Sequence, residues 1–108
     1  MVRVAVELFP DGCLASFRAQ GHSGSGSYGA NPACAAVTQM LRTTARLVYS
    51  VDGLVMDGGA DSPGEMRLEL SRDAKTNREW LRGVTDFLLR GLRDLEAEFP
   101  GEISLSVK

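Results

Sequence analysis

The chain holds a single histidine and only two cysteines among its 108 residues, a scarcity that excludes several chemistries at once. One histidine cannot build a histidine-rich metal site, and two cysteines fall short of a four-ligand zinc pattern or a disulfide framework. No metal and no cofactor are expected. No apolar run approaches the ~20 residues of a membrane helix. The N-terminal stretch MVRVAVELFPDG alternates where a secretory signal would be continuously apolar. A cytoplasmic location, without membrane attachment, is the corresponding expectation, and there a Cys13 to Cys34 disulfide is disfavoured. Net charge is −2, so the positive field on which general nucleic-acid binders depend is missing, and no strong direct nucleic-acid binding is expected. What is present is ordinary globular material, 44% hydrophobic and 24% charged, in a length that suits one core and not two. Residues 1–108 are read as a single domain.

The periodicities change in a clear order along the chain. Val2, Val4, Val6 and Leu8 alternate with Arg3, Ala5 and Glu7, as on a strand with one buried face. Pro10, Asp11 and Gly12 turn the chain, and a second strand over 13–20 pairs back antiparallel. Glycines 21, 24, 26 and 29 then interrupt regular structure. Asn31 is a favoured N-cap and Pro32 suits the first helical position, so a helix is predicted over 32–50. Its core face is Val37, Leu41, Thr44 and Val48, broadened by Met40, Leu47 and Val51. The stretch DGLVMDGGADSPGE reads as turns around at most one short element. A third strand follows over 65–71, with Met66, Leu68 and Leu70 inward. Thr76 and Glu79 have capping-box spacing ahead of a second amphipathic helix containing Trp80, Val84, Phe87, Leu88, Leu92, Leu95 and Phe99. Pro100 and Gly101 stop it, and Ile103, Leu105 and Val107 make a last strand. Trp80 and Phe87 are assigned to the core. The order ββαβαβ predicts an α+β domain, a mostly antiparallel four-stranded sheet with two helices on one face.

The segment GHSGSGSYGANPACAAV places His22 and Cys34 on either side of small residues. A cysteine in a first helical turn sits at the positive end of the helix dipole, where thiolate is favoured over thiol. His22, ending the preceding strand, can take the thiol proton, and the first-turn N–H groups can donate to an oxyanion. A packing reading stands beside this one. Cys34 is three residues before Val37 and seven before Leu41, as a small core side chain would be. A glycine-rich loop before a helix can also cradle phosphate, yet this one matches neither a Walker loop nor a dinucleotide fingerprint. It also holds no arginine to clamp a phosphoryl group, which counts against a phosphate-ester hydrolase. The alternatives from the residues alone are a thiol enzyme and a non-catalytic ribosome- or RNA-associated binding module.

The stretch GHSGSGSYGANPACAAVTQM resembles the signature of the ribosomal-processing cysteine protease family Prp, in which a Gly-His pair, a Tyr-Gly step and a Cys-Ala helix start follow at this spacing. The resemblance extends over nearly the whole chain. It implies that His22 is the catalytic histidine and Cys34 the nucleophile, with Gly21, Gly24, Gly26, Tyr28, Gly29, Asn31 and Thr38 shaping the loop or the substrate site. It further implies a homodimer whose substrate is the N-terminal extension of a large-subunit ribosomal protein. Two positions depart from the family pattern: Asn31 stands where aspartate is usual, and Thr38 where serine is.

Overall fold

A computed structural model describes residues 1–21, 31–60 and 64–108. Strands β1 (Val2–Leu8) and β2 (Leu14–Gln20) are followed by helix α1 (Pro32–Tyr49), strands β3 (Val55–Gly59) and β4 (Glu65–Leu70), helix α2 (Arg78–Glu98) and strand β5 (Ile103–Val107). The sheet order is β3-β4-β2-β1-β5. β1 pairs antiparallel with β2, β2 with β4 and β4 with β3, whereas β5 lies parallel to β1. The α+β class agrees with the sequence reading, but the sheet is mixed and five-stranded, and the order is ββαββαβ.

The added strand, β3, falls within the stretch read as turns. Its sequence VMDGG has an Asp-Gly-Gly half with poor strand propensity and no clean alternation, so periodicity could not announce it. It is held by position at the sheet edge and by Leu54, which is fully buried just before it and whose carbonyl accepts from the Ser71 N–H at 2.7 Å. A Cβ on Gly58 would meet the hydroxyl of Tyr49, an exposed side chain that packs over this edge strand.

The register aligns apolar rows across the sheet. Val4 faces Ala19, which faces Met66, and Val6 faces Phe17, which faces Leu68; β5 extends these rows with Leu105 and Val107. Against this one face pack Val37, Leu41 and Val48 of α1 and Leu81, Leu88 and Leu92 of α2, all buried. The opposite face is polar, with Arg67 of β4 bonded to Asp57 of β3 at 3.2 Å. Thr85 ties α2 to the sheet: its hydroxyl donates to the Leu81 carbonyl at 2.8 Å and accepts the Leu14 N–H at 2.9 Å, deep in the core.

Four assignments need correction. Leu47, Trp80 and Phe87 are exposed, Phe87 by 72%, although they follow the helical spacing of the core. They line an open apolar groove of about 610 Å³ between the outward sides of α1 and α2. Each helix carries a wider apolar stripe than one sheet face can cover, and the surplus is left between them. The α2 cap is Asn77, whose side chain accepts from the Trp80 N–H at 3.0 Å, and not Thr76.

Candidate active site

Cys34 is placed by the start of α1. Asn31 has an extended backbone, and its Oδ1 accepts from the N–H of Ala33 at 2.9 Å and of Cys34 at 3.2 Å. Pro32 has no N–H to satisfy, and the Ala35 N–H donates to the Asn31 carbonyl at 3.0 Å. Every first-turn amide thus has a partner. This corrects the expectation that these groups stand ready for an oxyanion; the helix dipole acts on Cys34, but its spare donors are already used. The thiol itself is free and half-buried at the margin of the core. Thr38, one turn further, is also half-buried.

A chain of contacts links Cys34 to the end of β2. The Asn31 side-chain amide donates through Nδ2 to Glu102 Oε1 at 3.4 Å, and the Glu102 carbonyl accepts the Val2 N–H at 2.9 Å. Beside Val2, the Met1 carbonyl lies where a Cβ on Gly21 would have to go. Gly21 has φ +92° and donates its N–H to Gly64 at 3.0 Å, so both backbone sign and space demand glycine. Gly21, Asn31 and Cys34 are therefore brought to one end of the sheet. His22, Gly24, Gly26, Tyr28 and Gly29 lie outside the described residues.

Cys13 occupies the other end, where β1 turns into β2. It is 1% exposed and donates through Sγ to the Arg78 carbonyl at 3.4 Å. Burial pushes its thiol pKa up. Next to it Asp11 accepts from Arg78 Nε at 2.8 Å, and this bond above all holds the Asp11 carboxyl at about 2. The Arg78 guanidinium also lies 5.6 Å from the centre of the Phe9 ring. Both cysteines are free.

Among the described residues no three His, Cys, Asp or Glu side chains converge as metal ligands. No described helix is long and apolar enough to cross a membrane. The sequence reading did not single out Glu102. It sits in the turn between α2 and β5, and no motif there signals contact with a residue 71 positions earlier.

No curated protein matches the sequence. Solved structures do share the fold. The essential ribosomal processing protease Prp from S. aureus, in complex with a covalently linked product peptide, superposes with a TM-score of 0.82 at 21% identity, both chains covered completely. The same S. aureus protease with a substrate peptide gives 0.79 at 20% identity, again over the whole of both chains. SMU.848 from Streptococcus mutans gives 0.77 at 25% identity, covering 99% of this chain and 93% of that one. The sequence also matches the family model for cysteine protease Prp over residues 1–104, nearly from end to end. The chain belongs to the cysteine protease Prp family.

Proposed function

We propose that this cysteine protease removes a short N-terminal extension from a large-subunit ribosomal protein, with Cys34 as nucleophile and His22 as its base. The observation that carries the residue assignment is the placement of Cys34: a half-buried free thiol in the first turn of α1, joined by contacts to the strand end that leads directly into His22. The substrate assignment draws on the S. aureus processing protease of the same fold, solved with substrate and with covalently linked product.

The chemistry follows from these groups. The imidazole takes the thiol proton, the positive end of α1 stabilises the thiolate, and the thiolate attacks the scissile carbonyl. Imidazolium then protonates the departing amine, and water hydrolyses the thioester. Because the first-turn amides are bonded to Asn31, the oxyanion takes its hydrogen bonds from other donors. Gly24, Gly26, Tyr28 and Gly29 shape the entry of the extended peptide, Gly21 sets its strand-side edge, and Thr38 presents a hydroxyl one turn behind the nucleophile. A ribosomal substrate implies work in the cytoplasm, and the family likeness implies a homodimer, which sedimentation at several concentrations tests. The net charge of −2 gives no broad attraction to RNA.

The test is cleavage of a peptide spanning the N-terminal extension of the ribosomal protein from the same cell. Cys34→Ser and His22→Ala should each abolish it. Wild-type cleavage by Cys34→Ser would end this assignment.

A further inference from the structure

We infer that Glu102 is a positioning residue for Cys34, acting through Asn31; the inference rests on the reading of Cys34 as nucleophile. A side-chain amide has a donor end and an acceptor end of nearly the same shape. Turned one way, Asn31 offers Oδ1 to the N–H groups of Ala33 and Cys34; turned the other, it sets its own NH₂ against them, donor facing donor. The carboxylate of Glu102 only accepts, so it bonds only the NH₂ end, as Nδ2 does at 3.4 Å. It thereby selects the orientation in which Oδ1 caps the helix. At this length the bond orients more than it stabilises.

Glu102 is well placed to impose a direction because its own backbone is held on both sides. Its N–H donates to the Phe99 carbonyl at 3.1 Å and its carbonyl accepts from Val2 at 2.9 Å, which ties the turn after α2 to the first strand. The order of action is Glu102 to Asn31 to the backbone of Cys34. The sulfur gains a first turn that does not fray, and with it the full effect of the helix end on thiolate.

Glu102→Gln and Glu102→Ala separate this bond from the carboxylate charge. Both remove the negative charge equally, but only glutamine keeps an oxygen that can accept from Asn31 Nδ2. The readout is the pH dependence of iodoacetamide labelling at Cys34, which needs no peptide substrate. At pH 7 the Ala variant should label about three-fold more slowly than the Gln variant, its half-labelling pH higher by about half a unit, the scale of a helix-end effect. In an Asn31→Ala background the difference should vanish, because the route through Asn31 is gone. Equal labelling of the two Glu102 variants, or a difference that persists without Asn31, would overturn the inference. If the Ala variant does not fold, the same bond is tested by Asn31→Asp. That residue keeps the cap acceptor but faces Glu102 with a second carboxylate; a half-labelling pH unchanged from wild type would overturn the inference, and a shifted one would support it. Failure of the protease reading has a different signature: in the wild type, labelling of Cys34 would be slow and indifferent to His22→Ala.

Discussion

The two cysteines lie at opposite ends of β1, on the order of 20 Å apart along the strand, and their surroundings differ in the access they give to the sulfur. Cys13 is sealed by α2: burial raises its thiol pKa, and its Sγ donates to the Arg78 carbonyl. Cys34 is half-buried in the first turn of α1, at the margin of the core. The ends also differ in how they are fastened. At the Cys13 end, an Asp11–Arg78 ion pair, an Arg82 to Asp11 carbonyl bond at 3.0 Å and the buried Thr85 hydroxyl lock the hairpin to α2. Among the described residues the Cys34 end is fastened by backbone bonds, by the Asn31 cap with its side-chain bond to Glu102, and by Gly21. Access therefore separates the two free thiols: Cys13 is sealed in the core and Cys34 is half-buried.

The sharpest way to break this contrast is substitution of each cysteine. Cys34→Ser should lower peptide cleavage by about 10³-fold or more, while Cys13→Ala should leave kcat/KM within about two-fold; comparable losses at both would put the contrast in the wrong place. Next in size is labelling: in folded protein at pH 7, mass spectrometry should find Cys34 alkylated at least about ten-fold faster than Cys13, with the gap closing in denaturant.

Stability tests sharpen the comparison of fastenings. Gly21→Ala forces a side chain into a positive-φ position against the Met1 carbonyl. Urea unfolding should show a loss of about 2 kcal/mol or more, and cleavage should fall more than stability does because the strand end before His22 shifts. Thr85→Val leaves the buried Leu14 N–H without an acceptor, which should cost about 1–3 kcal/mol with little effect on Cys34 labelling.

The smallest effect is at Asp11. Its carboxyl titrates at about 2 in the fold against an ordinary 3.8, so this group favours the folded state fully above pH 3.8, and that contribution disappears as the pH falls toward 2. The pair is exposed, so the difference in melting temperature between wild type and Asp11→Asn should be slight at pH 5 and smaller still near pH 2. A difference that grew on acidification would contradict the direction of the shift.

Much of the fold can be read from periodicity. β1, β2, β4, β5 and both helices stand within a residue or two of where alternation and helical spacing place them, because each buries one face and that demand is written locally. The Asn31–Pro32 start of α1 was equally legible, since capping is a contact between near neighbours. β3 was not, because an edge strand of Asp and Gly is specified by its partner more than by its own side chains. Trp80 and Phe87 misled for the converse reason: spacing reports that a residue is apolar and on a face, not whether anything covers that face.

By itself the sequence determined the element types, the cap that presents Cys34, the glycine at 21 and the family signature, all properties of residues close together along the chain. The tertiary structure decided what depends on distant segments meeting: the parallel docking of β5 on β1, the burial of Cys13 under α2, and the approach of Glu102 to Asn31. A hydrogen bond between residues 71 positions apart leaves no local pattern, because only the packing of both helices on one sheet face brings those ends together.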